Sequence, residues 1–251
     1  MGNYASAIIR LAEKEIGYKE KASNYDLDSK TANVGNANYT KYARDIDNIP
    51  GFYNGKKNGF AWCDVFVDWL FIQAFGVDEA KRLLNQPDSS CGAGVDWSAN
   101  YFKRAGRFYT SPKVGDQIFF TNSNYVPCHT GIVYRVDNGT VYTIEGNTNA
   151  NNGVVDNGGM VCMKAYSISY SRIYGYGRPD YDPEPDNLKE EEEMTTETRY
   201  NTIEELPSYA VDTIKKLVRK EYLKGDGNGY DLSLDMIRMF VILDRAGMFG
   251  E

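Results

Sequence analysis

The texture of the chain changes at Asp116. Before it, apolar residues recur at helical spacing over Tyr4–Ile16, Asn38–Asp45, Trp62–Phe75, Asp78–Leu84 and Asp96–Arg104. After it come short alternating runs at Gln117–Thr121, Thr130–Val136, Thr140–Glu145, Met160–Tyr166 and Arg172–Tyr176. Helical spacing buries one stripe of a helix, whereas alternation buries one face of a strand. Helices followed by a meander build separate layers, so the expected class is α+β, with N-terminal helices on an antiparallel sheet.

Asp180-Tyr181-Asp182-Pro183-Glu184-Pro185-Asp186, continued by Glu190–Glu193, reads as a charged tether. It divides the chain into a domain at 1–179, an acidic linker at 180–198 and a small helical domain at 199–251. The formal net charge is −7, yet Asp180–Glu197 alone holds nine acids and one lysine, so the folded parts are near neutral. No basic footprint for nucleic acid is present. In the tail, Pro207 opens a helix to about Lys220, Gly225–Gly229 is a turn, and Ser233 caps a second helix through Ala246. No apolar run is long enough to span a bilayer. Met1–Glu15 carries Arg10 and Glu13 and is amphipathic rather than a signal peptide, so cytoplasmic synthesis without a membrane anchor is expected.

The four cysteines, Cys63, Cys91, Cys128 and Cys162, form no CxxC pair, and His129 is the single histidine. Reduced thiols are the expectation, and a site of several histidine ligands is excluded. Cys63 opens the apolar helix Trp62-Cys63-Asp64-Val65-Phe66-Val67-Asp68-Trp69. A cysteine in such a helix is more often a small core residue. In the first turn, however, unpaired N–H groups and the helix dipole favour a thiolate, partly exposed here. His129 begins Thr130-Gly131-Ile132-Val133-Tyr134, which Asp137-Asn138-Gly139 joins to Thr140–Asn147. A three-residue loop with Gly139 in the left-handed bulge position pairs Ile132 with Ile144 and Tyr134 with Tyr142. That register sets His129 opposite Asn147 and Glu145 opposite Gly131, on the face away from the apolar pairs. A thiol, an imidazole and a group to orient it are the elements of a Cys–His nucleophilic site.

The ordered motifs Trp62-Cys63-Asp64-x-Phe66-Val67-x-Trp69, His129-Thr130-Gly131-Ile132-Val133 and Ile144-Glu145-Gly146-Asn147 resemble the CHAP family of cysteine amidohydrolases and peptidases. The resemblance runs from about Tyr4 to Pro179. It implies a papain-like fold and peptidoglycan cleavage, as an amidase or endopeptidase. Cys63 would be nucleophile, His129 base, Glu145 the residue orienting the imidazole and Asn147 a further polar site residue. Some family members hold calcium in an acidic loop before the cysteine. Here Asp45-Ile46-Asp47 lies well upstream and Ile49-Pro50 falls where ligands are needed, so the expectation is no cofactor, with calcium the alternative. Tyr53, Phe60, Trp97 and Tyr125 are the aromatic residues placed near the cleft.

The tail from Asn201 to Phe249 resembles small wall-binding modules of phage endolysins. Together with the absent signal peptide it implies a lysin held in the host cytoplasm until lysis, acting on the Gram-positive wall. A non-catalytic wall-binding protein and an intracellular papain-like protease or deamidase are the alternatives. Ile214, Leu217, Val218, Met236, Ile237, Met239, Phe240, Val241 and Leu243 exceed what one two-helix face buries, so self-association through the tail is expected. Lys189-Glu190-Glu191-Glu192-Glu193 precedes Met194, and its codons can spell a ribosome-binding sequence. A separately translated tail starting at Met194 is therefore expected as a partner.

Overall fold

Every residue from Cys63 to Ile72 is buried, which makes one helix the axis of the larger half of the molecule. A helix apolar on all sides has to be covered on all sides. In the computed structural model, which describes residues 3–88, 91–155, 157–181, 199–225, 227, 229–245 and 247–250, that helix is α3 (Cys63–Phe75). Around it lie α1 (Asn3–Glu15), α2 (Lys41–Asp47), α4 (Val77–Leu83) and α5 (Val95–Arg104). The remaining cover is an antiparallel sheet of six strands. These are β1 (Phe108–Tyr109), β2 (Gln117–Thr121), β3 (Pro127–Asp137), β4 (Thr140–Thr148), β5 (Met160–Ser167) and β6 (Ile173–Gly177). Their spatial order is β1-β6-β2-β3-β4-β5. The architecture is α+β.

Alternation along the strands separates two cores. Phe119, Ile132, Ile144 and Val161 join the helices. Ile118, Phe120, Val133, Val141, Tyr166 and Tyr176 form a smaller cluster of their own. Strands β3 and β4 pair Ile132 with Ile144 as expected, but by a different route. Asp137 pairs with Thr140, leaving a two-residue loop in which Asn138 and Gly139 both have positive φ, the conformation that suits a tight hairpin. An irregularity between Val133 and Arg135 absorbs the odd residue. Arg135, not Tyr134, is therefore opposite Tyr142, although the two tyrosine rings still approach to 6.0 Å.

The chain forms two compact units, Met1–Pro183 and Glu184–Glu251. Asp180 and Tyr181, which the sequence assigns to the linker, belong to the first. The Asp180 carboxylate pairs with Arg107, and Tyr181 Oη donates to Gly115 O at 2.8 Å. In the second unit, β7 (Arg199–Tyr200) and β8 (Leu232–Ser233) form a short ladder the sequence did not signal. A turn of 3₁₀ helix at Ser208–Ala210 leads into α6 (Val211–Arg219), and α7 spans Leu234–Arg245. Ser233 Oγ accepts from Met236 N at 3.2 Å, the expected cap. Ile214, Leu217, Ile237 and Val241 are buried together, while Met236 and Met239 stay exposed. Met194 and the preceding Lys189–Glu193 lie outside the described residues.

Candidate active site

The first turn of α3 has no capping side chain on its N-cap residue, Trp62. Its leading N–H groups are therefore not satisfied in the usual way. Cys63 sits in this turn and is only 4% exposed, more enclosed than the sequence suggested. It belongs to the main hydrophobic core, with Trp62 and Phe66. Gly146 of β4 lets the strand approach: a Cβ there would lie 2.7 Å from Phe66 Cβ and 2.8 Å from the Trp62 ring.

His129 is fully buried on β3. Its Nε2 lies 2.9 Å from Glu145 Oε2 on β4. Gly131 makes room for this contact, since a Cβ at that position would fall 2.5 Å from Glu145 Cγ. The Glu145 carboxylate is held in turn by Thr143 Oγ1, donating to Oε1 at 2.6 Å, and by Tyr166 Oη, donating to Oε2 at 3.3 Å. Phe120 packs beside the imidazole at 6.0 Å and beside Tyr166 at 4.8 Å. Thr143 could be read from the sequence, because it shares Glu145's face at a spacing of two. Tyr166 and Phe120 come from other strands and carried no local signal.

With Nε2 committed to Glu145, Nδ1 is the nitrogen left for the thiol. It is buried and has no partner at hydrogen-bond geometry. Cys63 is near enough for its thiol to act on the same ring. Such contacts are commonly loose before substrate binds. Burial pushes the imidazole pKa down, but the Cys63 thiol and the Glu145 carboxylate outweigh it and raise the pKa from 6.5 to about 10. Their stabilisation of the imidazolium is full below 6.5 and is lost as pH rises through about 10.

The expected pairing of Asn147 with His129 is not among the ladder pairs of β3 and β4. Asn147 follows Glu145 in a left-handed conformation, φ 53°. Its Oδ1 accepts from Gly159 N at 3.2 Å and its main-chain oxygen from Gly158 N at 2.9 Å. Among the described residues no hydrogen bond joins it to His129 or Cys63, and its Nδ2 is buried without a partner. The fold puts His129 and Glu145 in direct contact, with Cys63 acting on the same imidazole, and Asn147 bonds to the far end of the loop before β5, at Gly158 and Gly159.

Of the aromatic residues placed near the cleft, Tyr53 is buried and donates to Asp68 Oδ2 at 2.6 Å, while Phe60, Trp97 and Tyr125 are exposed. A cleft of about 530 Å³ lined by Gln86, Trp97, Tyr101 and Arg104 lies at α4 and α5, with none of the four sequence-predicted site residues in its wall. Among the described residues no group of three or more histidine, cysteine or acidic side chains is arranged to hold a metal. Asp45 Oδ2 accepts from Trp69 Nε1 at 2.9 Å, and Asp47 from the N–H groups of Lys57 and Asn58.

Comparison with curated proteins found no match. Residues 55–147, which span Cys63, His129, Glu145 and Asn147, match the CHAP domain family.

Proposed function

We propose that this chain is a cysteine peptidoglycan hydrolase with a papain-like catalytic unit. The observation that carries the reading is the buried His129–Glu145 pair, with Cys63 acting on the same imidazole, inside the segment that matches the CHAP domain. His129 takes the thiol proton, and the thiolate attacks an amide carbonyl carbon. The N–H groups at the uncapped start of α3 stabilise the tetrahedral oxyanion. The intermediate collapses, and the amine leaves with the proton from His129. His129 then deprotonates water, which attacks the thioester, releasing the acid and restoring the thiol. The bond cut is a muramoyl-L-alanine amide or a stem or cross-bridge peptide bond. Digestion of purified Gram-positive peptidoglycan tests this. New amine and carboxyl termini, with no new reducing sugars, are expected by mass spectrometry. New reducing ends, or no release at all, would refute it.

The same reading makes the chain a phage endolysin kept in the host cytoplasm until lysis, with residues 199–251 as its wall-binding module. Deleting the chain from Glu184 onward leaves the first compact unit whole, including Asp180 and Tyr181. That truncation should hydrolyse soluble fragments at the full-length rate but clear intact cells about tenfold or more slowly, since tethering raises effective substrate concentration only. Equal clearing by both proteins would remove the binding role.

Exposed Met236 and Met239 support self-association of the tail. A product starting at Met194 would add binding modules to each enzyme. Expression with a C-terminal tag alone should then yield a second, small band that Met194→Leu abolishes. A single full-length band would count against it.

A further inference from the structure

The residue after Cys63 and the residue after His129 are joined through one side chain. Asp64, Gln117 and Thr130 are each buried, at 1%, 1% and 0% exposure. Thr130 Oγ1 donates its single hydrogen to Ile118 O at 2.7 Å, so it meets Gln117 as an acceptor. Gln117 Nε2 sends one hydrogen to Thr130 Oγ1 and the other to Asp64 Oδ1, each at 3.1 Å. Ser98 Oγ of α5 donates to Asp64 Oδ2 at 2.8 Å. None of these bonds is internal to α3; they tie its first turn to β2, β3 and α5.

A buried carboxylate is an expensive way to fill space. Burial pushes the Asp64 pKa up to about 6 against the pull of Ser98 and Gln117. An apolar residue of similar volume would avoid that cost. What the carboxylate supplies is direction. Apolar surfaces in contact can slide, whereas a hydrogen bond weakens steeply once it bends or stretches past about 3.5 Å. A thiol and an imidazole that exchange a proton tolerate displacements of only about 0.5 Å.

We propose that Gln117 is a positioning residue, whose amide links Asp64 to Thr130 and so sets the separation of the Cys63 thiol and the His129 imidazole. This rests on reading Cys63 and His129 as the reacting pair. Gln117→Met in the full chain keeps the side-chain length and removes both donors. Because His129 is the only histidine, its ring signals titrate by NMR without overlap. Peptide mass mapping after brief alkylation at stepped pH reads Cys63 separately from the other thiols.

The expected result for Gln117→Met is a fall in kcat of about ten- to a hundredfold with KM changed less than about twofold. The His129 midpoint should drop by about one pH unit, with the Cys63 alkylation profile altered. Ser98→Ala, which breaks the Asp64 contact to α5 and spares the link to β3, should lower stability without moving the His129 midpoint. A folded Gln117→Met with wild-type titration and alkylation would overturn the proposal. So would equal shifts in Ser98→Ala, which would make the network merely structural. If Gln117→Met does not fold, Thr130→Val severs the other end and is judged by the same criteria. Titration and alkylation need no substrate, so failure to cut peptidoglycan would strike the functional reading and leave this one standing or falling on its own.

Discussion

Cys63→Ser should lower hydrolysis by about 10⁴- to 10⁶-fold, because losing a covalent nucleophile costs nearly all of the acceleration its partners supply. Serine matches the buried thiol in size, so the 4% exposed site keeps its packing. The hydroxyl is far less acidic, and a base suited to a thiol does not activate it. Secondary structure and thermal midpoint should stay within a few degrees of wild type, which separates lost chemistry from lost fold. Cys128→Ala is the informative companion. Cys128 precedes the base and lies 3.6 Å from Arg172 Nη2, a contact that could sustain a rival thiolate. The account expects Cys128→Ala to retain most activity. Retained activity in Cys63→Ser together with loss in Cys128→Ala would move the nucleophile to the neighbouring strand.

The second large effect concerns the imidazole and its carboxylate. His129→Ala removes the only residue able to carry the proton, and activity should fall as far as in Cys63→Ser. Glu145→Gln keeps the volume and leaves an oxygen for the Thr143 hydroxyl, now 2.6 Å from Oε1. It removes the charge beside Nε2, and activity should fall by about 10²- to 10³-fold, less than with the base itself deleted. The pH dependence carries a sign. Glu145 is one of the two groups that raise the His129 pKa towards about 10, so Glu145→Gln should move the alkaline limb of kcat to lower pH. An alkaline limb unchanged in Glu145→Gln would mean that the carboxylate does not hold the imidazolium.

Much of this site was legible because its residues are local. Cys63 at the start of an apolar run, and His129 and Glu145 on one alternating hairpin, needed only periodicity and a turn signal. The hairpin's details were hidden by compensation. A tight Asn138-Gly139 loop plus the irregularity near Tyr134 yields the same Ile132–Ile144 pair as a longer loop, so alternation could not separate them. The surroundings of Asn147 were hidden in a similar way. Past Glu145 the pairing with β5 shifts before Thr148 and Asn147 turns to positive φ, which alternation does not signal. Contacts between distant strands left no trace in spacing. Tyr166 on Glu145 and Gln117 between Asp64 and Thr130 depend on sheet order, which composition does not encode. Asp64 and Asp68 interrupt the apolar run of α3, yet both are 1% exposed, because the buried donors of Ser98, Gln117, Tyr53 and Gln86 receive them.

The account's central claim is that one thiol, Cys63, performs the chemistry. The direct measurement is progressive inactivation of the full-length protein with iodoacetamide, following residual peptidoglycan hydrolysis and the modification of each cysteine by peptide mass mapping. Loss of activity should track carbamidomethylation of Cys63 one for one, whatever the extent of modification at Cys91, Cys128 and Cys162. Full activity in protein fully modified at Cys63, or inactivation that tracks Cys128 instead, would contradict it.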